Sequence, residues 1–175
     1  MSGLLVIGIG NPDCGDDAIG PMVARLLARR IGSRAEVIER SGDMLALIED
    51  WAGRDGVVMV DAAAPATAPG TIHRIDLLRD ALPAGLTRSS THAFGVADAV
   101  ALAGALDRLP ARLIVYAVEG GSFDVGAAPS PAVAAAAEAV AARVAAELCR
   151  MTAELPADAT PLPRPMPALA KASAS

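Results

Sequence analysis

The chain has 175 residues, of which 53% are hydrophobic and 20% charged, and its formal net charge is -5. This composition is typical of one globular domain and excludes a disordered or fibrous chain. The acidic balance and the scattered arginines argue against a nucleic-acid-binding surface. Aromatic residues make up only 2%, too few for platforms on which bases could stack.

The N-terminal apolar run, residues 4–7, is much shorter than the core of a secretory signal and follows no basic leader. No later stretch reaches the roughly 18 apolar residues of a membrane span. We therefore expect a cytoplasmic protein that contacts no membrane. The two cysteines, Cys14 and Cys149, form no Cys-x-x-Cys or zinc-ligand pattern, so we expect two free thiols.

The first half of the chain alternates between apolar runs typical of buried parallel strands and segments whose apolar residues have helical spacing. The first run ends at the Gly-Asn-Pro of residues 10–12, which predicts a tight turn out of the sheet. The predicted elements are a strand over 4–9, a helix from Ala18, a strand over 35–39, a helix over 44–51 capped by Asp43, and a strand over 56–61.

The second half continues this alternation. Its predicted elements are an outer strand over 71–76, an irregular crossing over 79–90, a helix over 92–106 capped by Thr91 or Ser90, a strand over 113–118, a loop over 119–129, and a last helix with Ser130 as N-cap and Pro131 at its first position. The pattern predicts a three-layer α/β/α sandwich around a mostly parallel twisted sheet of about five strands. We expect a single domain over 1–150 and a flexible Pro/Ala-rich tail over 151–175.

Acidic residues follow the first and third predicted strands. The first strand runs into residues 13–17, which include three aspartates, and the third ends on Asp61. In open α/β sheets the functional crevice lies at this edge, outside the carboxyl ends of the strands. Carboxylates from two neighbouring strand ends favour a divalent cation, and a nearby imidazole favours nickel or zinc. Of the two histidines, His73 lies in the outer strand, whereas His92 lies at a polar loop-to-helix junction and is the preferred ligand.

A dinucleotide-binding oxidoreductase is the rival interpretation. A Gly-x-Gly at residues 8–10 follows a strand, and Glu39 ends the second strand, where a ribose-binding acid would lie. The third glycine of that fingerprint is replaced by Asp13. The acidic pair at 16–17 would also place negative charge where a pyrophosphate needs backbone N–H groups. The acidic loop therefore disfavours phosphate binding.

Several short motifs occur in a compatible order along the chain. They are Gly8-Ile9-Gly10-Asn11, Gly15-Asp16-Asp17-Ala18-Ile19-Gly20, the strand ending in Asp61, Ser89-x-x-His92-x-x-Gly95, and Val118-Glu119-x-x-Ser122 leading to Pro129-Ser130-Pro131-x-Val133. Together they resemble the hydrogenase maturation endopeptidases, over about residues 4–149. The resemblance implies a metal-dependent protease that makes one cut in the large-subunit precursor of a nickel-iron hydrogenase. The cut removes a C-terminal extension after nickel has been inserted.

By that resemblance, Asp17, Asp61 and His92 correspond to the three positions that contact the metal. Asp17 is one methylene shorter than the Glu that the family often has there. The resemblance implies that the nickel belongs to the substrate and is bound transiently, so that it polarises the scissile carbonyl and acidifies the attacking water. Asp16 is the candidate general base or hydrogen-bonding partner for that water, which makes Asp16 and Asp17 the predicted catalytic residues.

Each candidate also has a structural interpretation. Asp16 or Asp17 could cap the first helix, Asp61 could simply end its strand, and His92 could bond to the backbone at the start of its helix. Cys14 is either a further soft ligand or a bystander thiol.

The remaining expectations concern the loop after the fifth strand and the partners of the chain. Glu119 and Ser122 either shape that loop, which is the preferred interpretation, or hydrogen-bond to the substrate strand. The functional alternative, beside the oxidoreductase, is a non-catalytic metal chaperone or scaffold for hydrogenase assembly. Whether the chain is a protease or an assembly chaperone, we expect a monomer whose partner is the hydrogenase large-subunit precursor, with no nucleic acid bound.

Overall fold

The computed structural model describes residues 3–80 and 91–154, except for the side chains of Met44, Ala97 and residues 91–95. The strands are β1 (Leu4–Ile9), β2 (Glu36–Arg40), β3 (Gly56–Ala63), β4 (Ile72–Asp76) and β5 (Arg112–Glu119). The helices are α1 (Ile19–Ala28), α2 (Met44–Trp51), α3 (Thr91–Ala105) and α4 (Pro131–Glu154), with short 3-10 helices at Gly15–Ala18 and Gly32–Arg34.

The five strands form one sheet in the order β2-β1-β3-β5-β4. Neighbouring strands run parallel except for β4, which pairs antiparallel with β5 at one edge. The helices lie on both faces: α1 and α4 contact each other on one face, and α2 and α3 contact each other on the other. The predicted α/β fold, the strand number and the outer position of β4 are therefore confirmed.

Alternate residues of the strands supply two separate cores, because successive side chains point to opposite faces of a sheet. The core under α1 and α4 includes Val6, Val58 and Ile114, and the core under α2 and α3 includes Ile7, Met59 and Val115. The inward stripe expected for the last helix is buried: Val133, Ala137, Val140, Val144 and Leu148.

Helix α4 continues four residues past the predicted domain end at 150. Met151 is buried because Gly56 leaves room for it: a Cβ on Gly56 would lie 3.0 Å from the Met151 sulfur. Residues 155–175 of the predicted tail and 81–90 of the predicted crossing lie outside the described residues. Within the described ranges, no helix has both the length and the hydropathy needed to cross a membrane.

Candidate active site

The carboxyl ends of the neighbouring strands β1 and β3 lie side by side, on the side of the sheet where its parallel strands end. The chain after β1 enters α1 on one face, whereas the chain after β3 passes through β4 to α3 on the opposite face. Connections that diverge in this way leave a crevice between the two strand ends, which is where open α/β sheets bind ligands. The two acidic segments identified from the sequence both end at this crevice.

Two glycines allow α1 to pack directly against β1. A Cβ on Gly8 would lie 2.3 Å from the carbonyl oxygen of Gly20, and a Cβ on Gly20 would lie 2.0 Å from the carbonyl oxygen of Ile9. Both distances are shorter than van der Waals contact, so only glycine permits this approach of the two backbones. The packing fixes the segment before α1 over the end of β1.

Asp17 lies in that segment, in the 3-10 helix Gly15–Ala18. Its Oδ2 accepts the backbone N–H of Asn11 at 2.7 Å, which holds the side chain at the end of β1. The N-cap positions of the 3-10 helix and of α1 are Cys14 and Ala18. The interpretation of Asp16 or Asp17 as a helix cap is therefore wrong. Cys14 carries a free, half-buried thiol, as expected.

Asp61 lies in β3, one residue beyond the pair formed by Gly8 and Val60, and its side chain is buried. Its Oδ1 accepts the backbone N–H of Ala62 at 2.8 Å. Burial raises the pKa of Asp61 well above its usual value, and the negative charge of Asp17 raises it further. The two carboxylates are thus close enough to repel each other, and a cation between them would relieve the repulsion.

The third predicted ligand, His92, lies in the first turn of α3, and its side chain is outside the described residues. Among the described side chains, no group of three or more His, Cys, Asp or Glu residues is arranged to hold a metal ion. The structure therefore brings Asp17 and Asp61 together, and the role of His92 stays a prediction.

The carboxylate of Asp16 is fully buried and accepts four hydrogen bonds. The backbone N–H groups of Gly121, Ser122 and Ser130 donate to it over 2.7, 3.2 and 2.6 Å, and the Ser130 hydroxyl donates over 3.0 Å. Burial would raise the pKa of Asp16, but these donors lower it below its usual value. The side chain therefore holds the loop after β5 and the start of α4, a role that sequence reasoning did not assign to it.

Glu119, at the carboxyl end of β5, is the second fully buried carboxylate near the ends of the parallel strands. Its Oε2 accepts three consecutive backbone N–H groups, from Ala66, Thr67 and Ala68, at 2.7 to 2.9 Å. Its Oε1 lies 2.7 Å from Nε2 of His73. Burial would raise the pKa of Glu119, but the N–H of Thr67, the His73 ring and the other two N–H groups lower it to about 2.

The loops held by these two carboxylates contact each other. A Cβ on Gly121, in loop 120–130, would lie 3.0 Å from Cγ of Pro69, in loop 64–71. The expectation that Glu119 shapes a loop is confirmed. The part played by His73 was missed, since it depends on the pairing of β4 with β5, and no local motif marks it.

Comparison with known proteins identifies the relatives of this chain. A model of the family described as hydrogenase maturation protease matches residues 21–147. The chain is 30% identical over 137 residues to the hydrogenase 2 maturation protease of Escherichia coli strain K12, and the match covers 75% of this chain and 82% of that protein. The hydrogenase maturating endopeptidase HybD from E. coli has a similar structure, with a TM-score of 0.66 and 25% identity, covering 86% of this chain and 93% of that one.

A third comparison extends the similarity of the fold. The [NiFe] hydrogenase maturation protease HybD from Thermococcus kodakarensis superimposes with a TM-score of 0.63 and 22% identity, covering 85% of this chain and 99% of that one. The fold, the crevice and these relatives define a hydrolase of peptide bonds. The chain belongs to the hydrogenase maturation protease family. The membership predicted from the short motifs is thereby confirmed, and it argues against the oxidoreductase alternative.

Proposed function

We propose that this chain removes the C-terminal extension from the large-subunit precursor of a nickel-iron hydrogenase after nickel has been inserted. Membership in the family supports a proteolytic step in hydrogenase maturation. The observation that carries the proposal is the placement of Asp17 and Asp61 at the crevice between β1 and β3. The monomeric state and the cytoplasmic location stay predictions.

The carboxylate pair suits a cation that arrives with the substrate. Asp17 and Asp61 offer oxygen donors whose mutual repulsion a divalent ion would reduce. His92, as a third ligand, would shift the preference of the site towards nickel. Substrate nickel would polarise the scissile carbonyl and acidify the attacking water. Since the proposed electrophile is the nickel of the substrate, a precursor that lacks nickel should not be cut.

Asp16 is proposed as a positioning residue. A general base needs a carboxylate oxygen that can take up a proton, whereas both oxygens of Asp16 accept hydrogen bonds and its pKa is lowered. Asp16 is the residue before Asp17, so its four bonds fix the backbone from which Asp17 projects. The geometry thus favours support of the site, which was not predicted, over the two predicted roles of general base and hydrogen-bonding partner of the attacking water.

The decisive experiment measures the intact mass of a nickel-loaded large-subunit precursor with and without this chain, beside a nickel-free precursor. We expect loss of one C-terminal fragment from the nickel-loaded sample only. Asp17→Asn and Asp61→Asn should each slow cleavage by about a hundredfold or more. Asp107→Asn is the matched control, because Asp107 is exposed, lies beyond the far end of α3, and has a φ of 55° that asparagine tolerates.

Three results would contradict the proposal. Cleavage of the nickel-free precursor at the same rate as the nickel-loaded one would show that the reaction does not require the metal. Wild-type cleavage rates in both carboxylate variants would show that Asp17 and Asp61 do not form the active site. Stable co-purification of the chain with a nickel-loaded precursor that stays intact would instead support the chaperone or scaffold alternative.

A further inference from the structure

Two apolar side chains are exposed on loop 120–130, which borders the crevice. Phe123 is 40% exposed and Val125 is 86% exposed. The ring of Phe123 lies beside the site, since a Cβ on Gly120 would be 2.7 Å from both Cζ of Phe123 and Cβ of Asp16. Val125 adds nothing to the core and lies two residues from Phe123, so the loop presents two apolar side chains to the solvent within three positions.

The loop that carries these side chains is pinned on both sides of them. Backbone hydrogen bonds join Asp16 to Ser122, Gly15 to Ala127 and Gly126 to Asp13, over 2.8, 3.1 and 2.6 Å. The Asp16 carboxylate adds two more bonds on the N-terminal side of Phe123. Two apolar groups held in fixed positions lose little conformational entropy when a partner covers them. Such preorganisation is characteristic of a binding surface.

The occupant follows from the reaction. A protease must bind a polypeptide across its crevice, and the loop is bonded to the residue that precedes Asp17. Two of the described side chains at the crevice, Asp17 and Asp61, are carboxylates, which attract a cation and repel an acidic peptide. Apolar contacts would supply binding to the peptide that these carboxylates cannot.

We propose that Phe123 and Val125 form a contact surface for apolar side chains of the precursor segment next to the scissile bond. This inference rests on the proposed function, because it takes the hydrogenase precursor as the substrate. The two side chains act in binding and take no part in the chemistry. Their removal should therefore raise KM and leave kcat almost unchanged.

Kinetic measurement of Val125→Ser and Phe123→Ser on the nickel-loaded precursor tests this. We expect KM to rise about tenfold in each variant, as the loss of one buried apolar side chain predicts, with kcat within about twofold of wild type. Leu106→Ser is the matched control. Leu106 is 53% exposed and lies just after the carboxyl end of α3, so this substitution should leave both kcat and KM unchanged. Unchanged KM in both loop variants would overturn the inference.

A second measurement does not depend on cleavage. A photo-reactive phenylalanine analogue in place of Val125 should cross-link to the C-terminal part of the precursor, whereas the same analogue in place of Leu106 should not. If the wild-type chain cleaves but no cross-link forms at 125, the surface is refuted and the proposed function stands. If the cross-link forms but the wild-type chain does not cleave a nickel-loaded precursor, the surface is supported and the proposed function fails.

Discussion

The carboxylate of Asp16 accepts the backbone N–H of Ser130 at 2.6 Å, although the two residues are 114 positions apart in the chain. This bond joins the segment before α1 to the residue before α4, and the two helices pack together on one face of the sheet. Because Asp17 follows Asp16 directly, the position of the proposed metal-binding carboxylate depends on the last helix of the fold. Stability and activity should therefore be coupled at this point.

Replacing Asp16 tests that coupling. Asp16→Asn puts an amide NH2 where backbone and hydroxyl donors already point, so the free energy of unfolding should fall by about 3 kcal/mol. Urea denaturation would measure the loss, and hydrogen exchange should accelerate in loop 120–130. Asp124→Asn, an exposed change in the same loop, should cost less than about 0.5 kcal/mol. Equal stability of the two variants would contradict the structural role of Asp16.

Glu119 predicts a specific dependence of stability on pH. Its folded-state pKa of about 2 is lower than that of an unfolded glutamate, so the ionised side chain stabilises the fold above the unfolded value. The difference in unfolding free energy between wild type and Glu119→Gln should therefore be largest near neutral pH and disappear as the pH falls from about 5 towards 2. Urea midpoints at three pH values would measure it.

The control for this pH dependence is Glu138→Gln. Glu138 also has a lowered pKa, because Arg30 pairs with it, but the pair is exposed. Exposed ion pairs contribute little to stability, so this variant should track wild type within about 0.5 kcal/mol at every pH. A difference for Glu119→Gln that stays constant with pH would contradict the assigned cause.

The space around two glycines, Gly20 and Gly104, predicts opposite effects of a glycine-to-alanine substitution on stability. Gly20→Ala should prevent normal folding, since the added Cβ would lie 2.0 Å from a backbone oxygen. Gly104→Ala, inside α3, meets only an ordinary contact of 3.5 Å and should raise the free energy of unfolding by about 0.5 to 1 kcal/mol. Thermal unfolding of both variants would measure this, and similar midpoints would contradict the packing described.

Asp61 should show a trade-off between stability and activity. Burial and the charge of Asp17 raise the pKa of Asp61, so ionising this side chain costs stability; Asp61→Asn removes that cost, while an amide oxygen can still accept the Ala62 N–H. We expect the stability of this variant relative to wild type to increase as the pH rises, and cleavage to be lost. Chemical denaturation and the precursor assay would measure the two effects. A large loss of stability would instead assign a purely structural role to this carboxylate.

The elements of the fold were predictable because their signals are local. The Asp43 cap of α2 lies beside the helix that it stabilises, and its carboxylate accepts the N–H of Leu45 as expected. The apolar run of residues 4–9 and the spacing of the α4 stripe likewise report burial directly. Asp17 and Asp61 could be placed at one edge of the sheet because parallel strands end together there.

The hydrogen bonds of Asp16 and Glu119, which hold the loops around the site, could not be predicted in the same way. Asp16 and Glu119 bind backbone N–H groups, which every non-proline residue carries, so no residue type marks their partners. The bond from His73 to Glu119 exists only because β4 runs antiparallel beside β5. Such long-range contacts follow from the packing of the whole sheet, whereas sequence patterns describe neighbours along the chain.

The span of the Asp16 bonds has a consequence for synthesis. Their donors lie 105 to 114 residues further along the chain, so a ribosome must synthesise the chain as far as Ser130 before loop 120–130 can close on the segment that carries Asp16. Contacts at this separation also form late because the intervening chain must first be ordered. A nascent chain would thus carry its proposed metal ligands without the frame that positions them. We conclude that this protease can become competent only after Ser130 has been translated.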